Sequence, residues 1–592
     1  MDQVPMPEDM SLSMPRDYPV IVTDSSRPTP SFTSVMFGPL SSPGLVIGLV
    51  LVWFSLGSSL LPRSALMQGI VSGLSLAFGY GVGVLIWLLV RWVAGLVSGG
   101  MAEDSIPSVV RWVALGGVAL TAVVAIVRWP SWQTAQGEMV GVDALTVVDG
   151  IKAVGWAIVV FAILLGIARL IRWMVWALDV FNSRHMSIHM ARGVTLVIVV
   201  VIVGGMYYFI ASSGLAAFAN TRFAGGDTVT LEGVTEPTNP EVSGSPDSIV
   251  EWDDLGFQGR TFTGAATSVE DIAAYYGSDD GVQTPIRVYA GLNSADNAEE
   301  RAQLVVDELN RTNAQDREVL MLVATTGTGW VDPLASAALE YMYRGDTAIA
   351  AMQYSFLPSW ISFVLDTATA MESGAAINEA VVEWWEGLPE DNRPHLVAFG
   401  ESLGSLGSEA GYAQGSLDES LAYIQSKVDG AFWVGPTDQN PVRQQLLEDR
   451  APSSPVWKPI YDDGQIVRLE NQPGSHDPYD ASWIAPRVVY YHHASDPVGY
   501  WNWETLWKPQ EWTDKPVGPD VPDSVRWIPF TTFTQVVVDL INGFSASVGH
   551  GHNYNDTFVE GWTVVAPMDG WTATDTDALQ AYLDSLVDLP GL

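Results

Sequence analysis

The chain has 592 residues, no Cys and a formal net charge of −39. That length exceeds one ordinary domain, and the absence of Cys excludes disulfides, thiolate metal sites and a cysteine nucleophile. Charge is balanced up to residue 213, with 11 Lys+Arg against 11 Asp+Glu, and the whole excess falls on residues 214–592, with 17 against 56. Phosphate backbones would be repelled by such a surface, so no nucleic-acid partner is expected; a solvated acidic face is the plain reading.

A polar segment, 1–43, precedes five apolar runs at about 44–61, 67–90, 111–128, 153–173 and 193–213. Each approaches the ~20 residues needed to cross a bilayer, which predicts a transmembrane helical domain over 44–213. The first run lacks the basic start of a cleavable signal, so a retained helix is expected there. Arg91 and Arg111, and Arg169, Arg172, Arg184 and Arg192, mark two connections as cytoplasmic, while Glu138, Asp143 and Asp149 mark an outer one. Five crossings would then leave the N-terminus cytoplasmic and the acidic half outside the cell membrane, with Arg63 the one basic residue on the wrong side. The spans are nearly free of mid-membrane charge, which points to an anchor rather than a transporter. Gly69-x-x-x-Gly73 and Gly79-x-x-x-Gly83 invite close helix packing. His185 and His189 lie four apart but lack a third ligand, so a basic loop is expected rather than a metal site.

Residues 214–283 read as a linker and irregular lead-in, with a short strand-like run at 228–231. From about 284 strands and helices alternate, as in an α/β domain. Strands are expected at 285–290, 319–324, 347–354, 395–399, 431–434 and 487–491. Helices are expected at 297–309, 335–343, 375–385, after Ser402, and at 534–541. The stretch 436–486 is too long and too rich in Pro and Asp for a simple connection, and is read as a cap insertion. This domain is placed at 284–560, followed by an acidic C-terminal tail, 561–592, carrying a short amphipathic helix near 575–586.

The chemistry concentrates around Gly400-Glu401-Ser402-Leu403-Gly404. An apolar strand running into Gly-x-Ser-x-Gly is the form of a nucleophile elbow, which lifts a serine hydroxyl above the end of a sheet. An acid and a histidine follow in the order Ser, Asp, His. Asp496 stands just after the strand at 487–491, and His550 and His552 share one Gly-rich loop, either one a candidate base for Ser402. The oxyanion of an acyl-transfer intermediate needs two backbone donors. Leu403 is one candidate, and Gly327 or Thr328, in the loop after the 319–324 strand, supplies the other. Glu401 reads as a structural partner of the elbow, and His492 and His493 as packed residues at a strand end. Tyr500, Trp501, Trp503, Trp507 and Trp512 suggest either a lipid-facing rim or cap packing.

Ser59-Leu60-Leu61-Pro62-Arg63, Gly327-Thr328-Gly329-Trp330-Val331-Asp332-Pro333, Gln353-Tyr354-Ser355-Phe356-Leu357-Pro358, Gly400-Glu401-Ser402-Leu403-Gly404-Ser405 and Gly549-His550-Gly551-His552 together resemble a multi-span membrane α/β-hydrolase family found mainly in actinobacteria. The resemblance spans about 44–560. It implies about five transmembrane helices followed by an extracytoplasmic α/β-hydrolase domain, with a mostly parallel sheet and a cap. The expected activity is a serine hydrolase acting on ester or thioester bonds of lipid or acylated envelope substrates, through an acyl-enzyme and without metal or cofactor. Acyl transfer by the same intermediate, and a non-catalytic binding module with a pseudo-triad, are the alternatives.

Overall fold

The structure is a computed structural model that describes residues 31–98, 108–211, 214–474, 479 and 481–586. The chain forms two compact units, one of residues up to Pro39 with Ile163–Ala211, the other of Leu40–Ala162 with Ser212–Leu592. Most of the 1–43 segment, and residues 475–478 and 480 of the expected cap, lie outside the described residues.

In the first unit, Arg169 donates to the carbonyls of Met36 (2.6 Å) and Gly38 (2.8 Å), and Asn182 donates to Thr195 (3.0 Å). His185 packs on Phe181.

Among the described residues, four helices are long and apolar enough to cross a membrane: Ala65–Leu96, Val109–Gly137, Val147–Ser183 and Ile188–Phe209. The expected fifth span is shorter. Its helix, Ser42–Ser55, has 14 residues, about 21 Å against a hydrocarbon core of about 30 Å. The apolar run misleads because it continues through Leu56, Leu60 and Leu61, which are fully buried but belong to a turn. The N-terminal side assigned from five full crossings loses its basis. This short helix packs closely on Ala65–Ser98 through glycines: a Cβ on Gly79 or Gly83 would strike the backbone of Gly48 or Pro43.

Arg63, the basic residue on the wrong side, is buried in the turn between these two helices. Its guanidinium donates to Gln68 Oε1 (3.0 Å), Ser59 Oγ (2.7 Å) and the carbonyls of Ser55 and Gly57. Asp539, from the acidic half, accepts from the N–H of Leu60 (3.2 Å) and Leu61 (3.5 Å). Arg63 is thus a satisfied structural charge and carries no topological signal.

The acidic half is built on a seven-stranded, all-parallel sheet in the order β1-β3-β2-β4-β5-β7-β6. The strands are β1 (Ile286–Ala290), β2 (Val319–Ala324), β3 (Thr347–Met352), β4 (His395–Glu401), β5 (Gly430–Val434), β6 (Val467–Glu470) and β7 (Arg487–Tyr491). They are buried on both faces, as parallel strands must be. Met321, Val323, Phe399 and Phe432 enter one core layer, and Leu320, Leu322, Leu396 and Trp433 the other.

Within the acidic half, sequence and structure differ in several places. The 436–486 insertion contains β6, which extends the sheet edge beside β7. The lead-in holds two helices, Gly256–Gly264 and Val269–Tyr276, and a 3₁₀ turn at Ala224–Thr228 stands next to the strand-like run. Much of the expected tail is packed: helices Phe558–Val565 and Ala573–Asp584 bury Trp562, Leu579 and Leu583 in one core layer. The helix expected at 534–541 runs from Thr531 to Asn542.

Candidate active site

β4 ends at Glu401, and the chain turns so sharply that Ser402 takes φ 53° and ψ −123° before a helix begins at Leu403. A residue with a side chain rarely holds that conformation, so the strain marks a functional turn. Both motif glycines are sterically required. A Cβ on Gly400 would lie 2.5 Å from the Gly404 carbonyl oxygen, and one on Gly404 would strike the carbonyl of Ala324 at the end of β2. Ser402 N–H donates to Val434 O on β5 (2.8 Å), and Ser405 N–H donates back to Ser402 O (3.1 Å). The hydroxyl-bearing residue stays partly open. Leu403 N–H opens the helix, where it has no intrahelical acceptor and the helix dipole favours negative charge.

Asp496 sits fully buried in the loop after β7. It accepts from His552 Nδ1 (2.7 Å), Tyr554 OH (2.7 Å) and Val498 N–H (2.9 Å). Burial pushes its carboxyl up, but His552 and the hydrogen bonds outweigh that and hold it below the usual range. Because Nδ1 donates to Asp496, the neutral tautomer of His552 presents its lone pair on Nε2. Nε2 has no hydrogen-bond partner among the described residues. The ring lies against Gly435, whose Cβ would be 2.6 Å from His552 Cε1. Gly435 follows Val434, the acceptor for Ser402 N–H, so the imidazole and the serine's backbone are held by adjacent residues at the end of β5.

His550 goes elsewhere. Its Nδ1 meets Asp520 Oδ2 at 3.2 Å, and Asp520 also accepts from Ser495 Oγ. Ser495 Oγ in turn accepts from Gly551 N–H (2.9 Å). The loop is further pinned by the helical region: Ser547 N–H and Oγ donate to Val140 O (3.3 and 2.7 Å), and Leu61 lies 3.3 Å from where a Gly551 Cβ would stand. His493 stacks on Tyr554 (4.1 Å, 9°) and donates to Gly551 O (3.0 Å). Burial lowers it to about 4, so it is neutral. His492 is buried beside Gly499 and Tyr500. Both are packing residues, as expected.

Of the expected oxyanion donors, Gly327 is already engaged. Its N–H donates to Tyr354 OH (2.8 Å), and its Cβ direction points 2.5 Å from Ser359 N. In the same turn Gly329 and Trp330 N–H donate to Thr326 O, and Thr326 N–H to Trp330 O. Thr328 N–H is bonded to no described residue, and Thr328 is partly open at the tip of the turn.

Glu401 is buried under the elbow against Asp332. Asp332 caps the helix Pro333–Met342 through Leu334 N–H (2.7 Å) and Ala335 N–H (3.0 Å). Burial, then the Asp332 charge, push Glu401 well above the usual range, and burial raises Asp332 to about 6. Glu401 is therefore a buried structural partner of Asp332 whose charged form is disfavoured. Among the described residues no group of three His, Asp or Glu is arranged to hold a metal ion.

Residues 286–579 match a family described as the alpha/beta-hydrolase family, and residues 56–266 match the N-terminus of that family. The chain belongs to this α/β-hydrolase family. No curated protein and no solved structure matches it. The α/β-hydrolase match covers the elbow, both His–Asp pairs and the turn at 325–330, while the N-terminal match covers the four long apolar helices and the turn at Ser59–Arg63. The structure bonds His552 to Asp496 and sets that ring against Gly435, the residue after the Val434 carbonyl that holds Ser402 N–H; His550 turns to Asp520, and Gly327 N–H to Tyr354 OH. Sequence reasoning missed Tyr554, which donates to Asp496, and Asp520, which takes His550. Tyr554 had a signal, standing two residues beyond His552 in the same loop. Asp520 had none, lying in an irregular Pro-rich segment.

Proposed function

We propose that this chain is a membrane-anchored serine hydrolase that cleaves ester or thioester bonds of lipid or acylated cell-envelope substrates. The observation that carries the reading is the Asp496–His552 bond, with Nε2 left for a serine on a strained elbow. His552 Nε2 removes the Ser402 proton as Oγ attacks the acyl carbonyl carbon, and Asp496 stabilises the imidazolium. The N–H groups of Leu403 and Thr328 receive the oxyanion. Collapse expels the alcohol or thiol, which takes the proton from His552 and leaves an acyl group on Ser402. Water, deprotonated by the same nitrogen, then releases the acid and restores the enzyme. An acceptor hydroxyl in place of that water makes the same chain an acyltransferase. A non-catalytic module has less support, because strain at Ser402 and a buried, fully paired Asp496 have no purpose in mere binding.

The basic residues Arg91, Arg111, Arg172, Arg184 and Arg192 cluster at helix ends and in connections that precede the hydrolase domain in the chain. Assigning these to the cytoplasm leaves the hydrolase domain extracytoplasmic.

The test is mass spectrometry of the full chain in detergent, mixed with activated esters of graded acyl length. An acyl adduct confined to Ser402 that decays with release of free acid supports hydrolysis, and faster decay with added alcohol supports transfer. A folded chain that neither forms an adduct nor turns over any ester leaves the binding-module reading.

A further inference from the structure

Helix Thr531–Asn542 lies between Asp496 and His552 in sequence, yet it packs along the apolar helices Ser42–Ser55 and Ala65–Ser98. Phe530, at its start, stacks flat on Phe78 (3.8 Å, 9°). Phe530 holds a left-handed φ of 63°, a strain the stacked ring helps to offset. Phe78 stands about 20 Å along its helix from Ala65, at about 1.5 Å per residue. Over that length the outer faces of the apolar helices are exposed and hydrophobic: Trp53, Phe54, Leu66, Phe78, Ile151 and Ile158. In a helix that crosses a bilayer such faces meet lipid, not water. The hydrolase segment packed beside them exposes Ile541 (61%) and Phe544 (64%) on either side of Asn542, whose Nδ2 donates to Pro62 O at the turn between those helices (3.0 Å). Phe544 also sets its ring edge-on to His552 (5.0 Å, 84°).

We infer that Phe530–Phe544 is inserted into the bilayer alongside the spanning helices, with lipid acyl chains as the occupant of its exposed face. The candidate active site then opens at the boundary between hydrocarbon and headgroups, and the acyl substrate reaches Ser402 laterally from the leaflet rather than from water. The first statement rests only on the helices spanning a membrane; the second also rests on the proposed serine chemistry. Packing against the apolar helices favours lipid over a second copy of the chain. Contact of Phe544 with His552 ties that surface to the site.

The absence of Cys makes single-site labelling clean. Ile541→Cys, Phe544→Cys and, on an exposed helix of the hydrolase domain, Glu299→Cys would each carry a nitroxide in the full chain, reconstituted in phosphatidylcholine nanodiscs. Expected is preferential collision with oxygen at 541 and 544, and with a water-soluble nickel complex at 299. Nickel access at 541 and 544 overturns the insertion, and protection from both relaxants at these positions overturns lipid as the occupant. A second arm compares Ile541→Asp with the unchanged chain. Turnover of a long-chain ester in the bilayer should fall at least about tenfold (~1.4 kcal/mol), while that of a soluble short-chain ester is unchanged. Equal loss on both substrates overturns lateral entry. Fluorophosphonate labelling of Ser402 in the same samples reports on the serine chemistry separately, so its failure is distinguishable from failure of the insertion.

Discussion

Two histidine–aspartate pairs stand one glycine apart in the same loop. His552 bonds Asp496 at 2.7 Å with both groups buried, and Tyr554 completes the carboxylate. His550 meets Asp520 at 3.2 Å with its ring partly open and with Ser495 as a neighbour. The loop can serve both because Gly549 and Gly551 take φ values of 84° and 56°, which turn the two side chains apart. A histidine–aspartate contact therefore does not make a base. What distinguishes the pairs is their surroundings: His552 lies against Gly435, next to the Val434 carbonyl that holds Ser402 N–H, whereas His550 turns to Asp520.

Substitutions separate the two pairs. Ser402→Ala or His552→Ala should lower kcat by about 10⁶, each nearly as much as both together. Asp496→Asn should lower it by about 10⁴, because the imidazole loses its tautomer. His550→Gln should change kcat by about threefold or less, under 1 kcal/mol. Steady-state ester turnover on purified chains reads all of these. A loss at His550 as large as at His552 would break the distinction.

Stability sharpens the comparison further. Ser402→Gly removes the positive-φ strain and should raise stability by about 1 kcal/mol while abolishing activity, as seen in thermal unfolding with an activity assay alongside. The carboxyls also oppose one another. Asp496 is depressed, so its contribution is present above the unfolded carboxyl range and fades as pH falls. Glu401 and Asp332 are raised, so theirs is present at low pH and is lost as pH rises through the folded value, about 6 for Asp332. Unfolding midpoints between pH 4 and 7 should therefore fall with pH, and Glu401→Gln should flatten that slope. An unchanged slope would remove Glu401 and Asp332 as its cause.

The elbow was legible in the sequence because its glycines answer local clashes: Gly400 faces Gly404, four residues on, and Gly404 faces the end of β2. Strands buried on both faces were legible as apolar runs. The choice between His550 and His552 was not, because it depends on two backbone rotations and on which aspartate a distant loop supplies. Gly327 attracted the oxyanion role as a glycine, but Tyr354, from the end of β3, takes its N–H. The first span was overcounted because hydropathy cannot tell Leu60 and Leu61 buried in a protein core from leucines in lipid. β6 was hidden because four residues, Val467–Glu470, carry two charges and become a strand only by pairing with β7.

The most direct measurement is the rate of fluorophosphonate labelling of the solubilised full chain, compared with Ser402→Ala, His552→Gln and His550→Gln. The expected result is covalent labelling of the unchanged chain and of His550→Gln at similar rates, with none in the other two. Labelling that survives Ser402→Ala, or that is lost in His550→Gln and kept in His552→Gln, would contradict the assignment of Ser402 and His552.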